Sequence, residues 1–94
     1  MEFLVIAKSK RENFAATMTS DEQAIMGKHV EHVHQMFSEG KVVFAGHGPF
    51  GIYVFRAASP EAAQEMYEND PLVKAGIAIT ELHPFQVGLI ENRK

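Results

Sequence analysis

KVVFAGHGPFGIYVFR, residues Lys41–Arg56, is the stretch that decides the fold of this chain. Two runs rich in β-branched and aromatic residues are joined through Gly46–Gly51, a short segment that contains three glycines and one proline. This pattern is typical of a β-hairpin, and it predicts strands over Lys41–Gly46 and Gly51–Arg56. Successive residues of a strand point to opposite faces of the sheet, and in both strands the two faces carry apolar side chains. A sheet that contains these strands therefore needs cover on both sides.

A helix is predicted immediately before the hairpin. Thr19 and Glu22 have the spacing of a capping box, and Gly40 suits the left-handed position that ends a helix. At about 100° per residue, the predicted inner face is centred on Met26, Val30, Val33 and Phe37, with Ile25, His29 and Met36 beside it. His29 is therefore expected to point inward.

A second helix is predicted after the hairpin. Ser59 and Pro60 supply the N-cap and the first helical residue, and the inner face carries Ala62, Ala63, Met66 and Tyr67. Asp70-Pro71 ends this helix, because the residue before a proline avoids the α-helical region. Leu72–Ala75 is expected to form a single turn.

Two further strands complete the expected order of elements. Glu2–Lys8 is apolar on both faces, whereas Ile77–Val87 contains Pro84 and is expected at a sheet edge or a bulge. Ser9–Met18 is polar and is expected to be irregular. The order strand-helix-strand-strand-helix-strand predicts an α+β fold, a ferredoxin-like βαββαβ sandwich with a four-stranded antiparallel sheet, in a single domain over residues 1–94.

The predicted sheet has more apolar surface than two helices can cover. Each large apolar side chain left in water forgoes about 1.5–3 kcal/mol of burial free energy, and monomers seldom expose several of them together. A second copy of the same sheet is the simplest cover. We therefore expect a homodimer that packs through its sheet faces.

Composition excludes several functional classes. The 94 residues carry a net charge of −3, and their nine Lys and Arg form no basic stripe, so no nucleic-acid partner is expected. The absence of cysteine excludes disulfides and thiolate catalysis. No apolar run has membrane-spanning length, and Phe3–Ala7 is too short for a signal peptide. A cytoplasmic protein without a membrane partner is expected.

His29 and Asp70 are the leading candidates for chemistry. Imidazole changes charge near neutral pH, and a carboxylate at one ring nitrogen leaves the other free to exchange a proton with substrate. The two helices should pack side by side and roughly antiparallel, which brings the end of the second near the first half of the first. The alternative is a satisfied core histidine and an aspartate that only caps a turn.

The chain resembles the YCII-related family of the dimeric α/β-barrel superfamily over nearly its whole length. The resemblance is carried by Met1–Ile6, Thr17–Glu22 with Met26 and His29, Gly40–Val42, Ala45-Gly46, Gly51-Ile52, Asp70–Gly76 and Glu81–Phe85. It implies a dimer with a small pocket in each subunit and His29 and Asp70 as its active pair. It also implies cofactor-free lyase or dehydrochlorination chemistry on hydroxylated aromatic rings.

Other candidate ligand-binding residues are less distinctive. Arg11 is a candidate for binding a substrate carboxylate or phenolate, Met26 for the pocket wall, and Gly46 and His47 for the pocket rim. No metal site is expected, because His29 and His32 share a helical face without an obvious third ligand. No cofactor is expected either. Gly46–Gly51 matches a dinucleotide fingerprint in letters, but a strand follows it instead of a helix.

Three functions remain open from the sequence. The first is a small cofactor-independent enzyme in which His29 transfers a proton on a hydroxylated aromatic or enolisable molecule, in lyase or isomerase chemistry. The second is a non-catalytic small-molecule-binding or stress-associated module. The third is a cofactor-free monooxygenase.

Overall fold

The computed structural model describes residues 1–91, and these form four strands and four helices. The elements in chain order are β1 Glu2–Ser9, α1 Phe14–Thr17, α2 Ser20–Ser38, β2 Val42–His47, β3 Gly51–Arg56, α3 Pro60–Glu68, α4 Pro71–Ala75 and β4 Ala78–Phe85. None of the helices in this part of the chain is long and apolar enough to cross a membrane.

The strands form one four-stranded sheet in the order β2-β3-β1-β4, with every neighbouring pair antiparallel. β1 and β3 are the two central strands. β4 is an edge strand, which accommodates Pro84 in a position that pairs with Phe3. The predicted α+β architecture and sheet are confirmed.

The main core lies between one face of the sheet and the helices. Phe3 and Val5 of β1 and Tyr53 and Phe55 of β3 point to this side, where they pack with buried residues of the helices and of β2, namely Val33, Met36, Val42 and Ala63. Side chains alternate along a strand. The opposite face therefore carries an apolar row, which we call the open face: Leu4, Ile6, Phe44 and Ile52, all half-buried, and Val54, which is fully buried.

Local signals place the helix starts correctly. The Thr19 side chain accepts a hydrogen bond from the Glu22 N–H, and the Glu22 carboxylate accepts one from the Thr19 N–H, so the capping box is complete. The Ser59 hydroxyl accepts from the Ala62 N–H at the start of α3, with Pro60 in the first turn.

Two sequence expectations are wrong. Ser9–Met18 is not wholly irregular, because it contains the one-turn helix α1. The inner face of α2 is also rotated from its predicted centre: Val30 and Phe37 are 49% and 59% exposed, whereas Val33 and Met36 are buried. The prediction assumed that every apolar side chain on one side of the helix is buried. Val30 instead lies at an open cavity, and Phe37 lies near the exposed end of the helix. The rotation brings His29 nearer the centre of the buried face.

Candidate active site

A cavity of about 770 Å³ lies between α2 and the helix-facing side of the sheet. The β2–β3 hairpin and the segment around α1 border it, and most of its wall is apolar. Its lining includes Val5, Met26, Val33, Tyr53 and Leu72, and the imidazoles of His29 and His47 also line it. Its size and its few polar groups are typical of a small-molecule site.

One hydrogen bond connects the two leading candidates. Nδ1 of His29, in the middle of α2, lies 2.7 Å from Oδ1 of Asp70, which is the N-cap of α4. An ionised carboxylate has only acceptors, so Nδ1 carries the proton and donates it. The second ring nitrogen, Nε2, is then the one left for a ligand. The predicted contact is present, and its catalytic role stays a prediction.

Asp70 is 0% exposed, and its carboxylate accepts three hydrogen bonds, of which the one from His29 is the first. Oδ1 also accepts from the Leu72 N–H at 2.9 Å, and Oδ2 accepts from the Tyr53 hydroxyl at 2.8 Å. Burial alone would raise the pKa of Asp70, but the hydrogen bond and charge of His29, with the bonds from Leu72 and Tyr53, outweigh it and hold the pKa below 3.8. Asp70 is therefore ionised at neutral pH.

Tyr53 is the member of this cluster that sequence reasoning missed. It is 4% exposed, and its ring centroid lies 6.2 Å from that of His29. Burial, and then the charge and hydrogen bond of Asp70, raise the pKa of Tyr53 far above its ordinary value, so its hydroxyl remains a donor. One feature of the sequence could have indicated this role: Tyr53 lies in a strand that is apolar on both faces, and the hydroxyl of a buried tyrosine needs a hydrogen-bond partner.

The remaining predicted site residues divide into two groups. Met26, Gly46 and His47 line the cavity, as a ligand-binding role requires. Arg11 is outside the cavity lining: its guanidinium makes two hydrogen bonds of 2.8 Å to the Glu22 carboxylate. The predicted substrate contact of Arg11 therefore gains no support from the geometry, because its charge already has a partner.

The three histidines of α2 do not converge. His29 and His34 line the cavity, whereas His32 does not, and its Nε2 is buried without a hydrogen-bond partner among residues 1–91. Within the same residues, no group of three or more His, Cys, Asp or Glu side chains has an arrangement that could hold a metal ion.

Comparison with known proteins places this chain in a family. The sequence model of the YCII-related domain matches residues 1–86. The chain belongs to the YCII-related family. No curated protein matches the sequence.

The fold of this YCII-related chain also occurs in a solved enzyme structure. It is similar to 5-chloro-2-hydroxyhydroquinone dehydrochlorinase (TftG) from Burkholderia phenoliruptrix AC1100, solved in complex with 2,5-dihydroxybenzoquinone. The two share 20% sequence identity with a TM-score of 0.62, over 94% of this chain and 96% of that one. At this identity the likeness supports the ferredoxin-like α+β fold of the chain.

Proposed function

We propose that this protein is a small cofactor-independent enzyme that transfers a proton on a hydroxylated aromatic or enolisable molecule. The observation that carries the proposal is the 2.7 Å contact between His29 Nδ1 and the fully buried Asp70, at the wall of an apolar cavity. In the neutral form of a histidine whose Nδ1–H is bound to a carboxylate, Nε2 is unprotonated and available to accept a proton. This is the arrangement that a general base requires.

The proposed chemistry follows from the position of the proton. Nε2 of His29 removes a proton from a saturated carbon beside a carbonyl group, as in the keto tautomer of a phenol, and the electron pair enters the conjugated system. In an isomerisation, the same imidazolium returns the proton to another carbon. In an elimination, the electron pair expels a leaving group from the neighbouring carbon. Asp70 does not touch the substrate and acts by stabilising the imidazolium.

The structural relative adds independent support for the substrate class. TftG is a dehydrochlorinase of a chlorinated hydroxyhydroquinone, and its structure holds a dihydroxybenzoquinone. Both are small planar rings with acidic hydroxyl groups. A cavity of about 770 Å³ with an apolar wall has room for such a ring.

Ligand binding without turnover is the second candidate. Asp70 caps α4 through its bond to the Leu72 N–H, so its burial has a structural explanation that needs no catalysis. The two candidates share the cavity and differ only in whether His29 exchanges a proton with the occupant.

We also infer that two copies pair through their open faces. Leu4, Ile6 and Ile52 are apolar and half-buried, and they lie side by side on central strands, on the face opposite the core that the helices cover. An isologous pairing of identical sheets buries this row in both copies.

Turnover of small rings tests the proposed function. The protein is incubated with chlorinated and unchlorinated hydroxyhydroquinones, and products and chloride are measured for the parent, His29→Gln and His32→Gln. We expect His29→Gln to lower kcat by about 10²–10⁴-fold, the usual contribution of a general base, and His32→Gln to retain the parent rate. A ligand that raises Tm but is recovered unchanged favours the binding module. Full turnover by His29→Gln would refute the assigned role.

A further inference from the structure

The Tyr53 hydroxyl belongs to the buried cluster, but the proton transfer described above does not use it. Its only hydrogen bond among the described residues is the one that it donates to Asp70 Oδ2, at 2.8 Å. Tyr53 lies in the middle of the central strand β3 and is held by ring contacts to Phe55 and His29, with centroids 5.9 and 6.2 Å apart. The hydroxyl is therefore fixed in position.

The charge of the His29–Asp70 pair changes when His29 acts. With a protonated imidazole the pair is neutral, because the imidazolium and the carboxylate compensate each other. With the unprotonated imidazole that a base requires, one uncompensated negative charge remains on Asp70. That carboxylate is 0% exposed, so only protein groups stabilise it.

The two carboxylate oxygens of Asp70 accept different numbers of hydrogen bonds. Oδ1 accepts from both the His29 ring and the Leu72 N–H, whereas Oδ2 accepts from Tyr53 alone. Loss of the tyrosine hydroxyl therefore leaves a buried charged oxygen without a donor. The cost falls mainly on the negatively charged form of the pair, since in the neutral form the imidazolium already compensates the carboxylate.

We propose that Tyr53 is a positioning residue: its hydroxyl stabilises the uncompensated carboxylate of Asp70 and so favours the form of the pair in which His29 is able to accept a proton. This rests on the proposed function, because it explains how the base of that reaction stays available. Without the hydroxyl, the pair holds its proton to higher pH.

Other ionisable groups surround the pair but do not share its hydrogen bonds. Tyr67 of α3 lies near Tyr53, and its own hydroxyl bonds to Thr80 of β4 at 2.6 Å. His34 of α2 and His47 of β2 line the same cavity. These groups are unchanged by substitution at Tyr53, so a comparison of variants isolates its hydroxyl.

NMR titration of histidine-labelled protein tests the proposal without turnover. The His29 signals are assigned by their loss in His29→Gln, and their midpoints are compared in the parent, Tyr53→Phe and Tyr67→Phe. We expect Tyr53→Phe to raise the His29 midpoint by about one pH unit, the size expected for one hydrogen bond to a charged group. Tyr67→Phe, which removes a hydroxyl that does not touch Asp70, leaves it unchanged. A midpoint that stays or falls in Tyr53→Phe overturns the proposal.

A second measurement avoids the removal of a buried group. The chain has two tyrosines, so 3-fluorotyrosine incorporated into Tyr67→Phe labels Tyr53 alone. The fluorinated phenol is a stronger donor, and we expect the His29 midpoint to fall. An unchanged or raised midpoint contradicts the proposal even if Tyr53→Phe does not fold. Both titrations read the pair directly, so they stand apart from the turnover assay that tests the proposed function.

Discussion

The buried carboxylate of Asp70 couples the stability of the fold to pH. Its pKa is held below 3.8 in the folded protein, so the stability that it contributes is present above that pH and is lost as the pH falls through the folded value. We expect Asp70→Asn to lower the free energy of unfolding at pH 7 by about 3 kcal/mol and to flatten its decline below pH 4. Urea denaturation at a series of pH values measures both effects.

A matched substitution separates this buried carboxylate from exposed ones. Glu31 is an exposed residue of α2, which packs on the opposite side of the sheet from the open face. Glu31→Gln should therefore leave the stability at pH 7 nearly unchanged. An acid decline in Asp70→Asn as steep as in the parent would show that Asp70 is not the coupled group.

Sequence reasoning identified part of this cluster. The helical spacing predicts that His29 points inward. The Asp-Pro sequence and the antiparallel packing of the two helices predict that Asp70 lies near it. Tyr53 was missed because its role depends on which face of β3 meets α4, and strand alternation alone does not fix that face. Arg11 forms an ion pair with Glu22, 11 residues further along the chain. The sequence did not predict this contact, because it depends on the path of the intervening loop.

At the scale of elements, the start of α2 depends on its capping box. The Thr19 hydroxyl accepts from the Glu22 N–H at 3.1 Å. We expect Thr19→Ala to lower the free energy of unfolding by about 1 kcal/mol, because one N–H at the start of α2 loses its acceptor. Thr19→Ser keeps the acceptor and serves as the control. Equal stability of the alanine and serine variants, measured by urea denaturation, would contradict this role.

Elements were predictable where the signal is local. The capping box and the Ser59-Pro60 pair specify helix starts within four residues, and the glycines of the hairpin specify the β2–β3 turn. α1 was missed because four residues carry no periodicity. The rotation of α2 was missed because it follows from the shape of the cavity, which packing of distant segments creates.

At the scale of the whole molecule, the open face predicts the state of association. We expect the parent to be a dimer by sedimentation velocity and Ile6→Lys to be a monomer, because the substitution places a charge in the centre of the proposed interface. Phe37→Lys is the matched control: this phenylalanine is 59% exposed on α2, away from the sheet, and its change leaves the dimer intact. A monomeric parent, or dissociation by Phe37→Lys instead, would contradict pairing through the sheets.

The most direct test of proton transfer by His29 is deuterium exchange into a ring. 2,5-Dihydroxybenzoquinone and hydroxyhydroquinone are incubated in D₂O with the parent, His29→Gln and His32→Gln, and loss of the ring C–H signals is followed by NMR. The account predicts that the parent and His32→Gln accelerate exchange on at least one ring, and that His29→Gln loses about 10²–10⁴-fold of that acceleration. Equal acceleration by the parent and His29→Gln, or none by the parent above buffer, would contradict it.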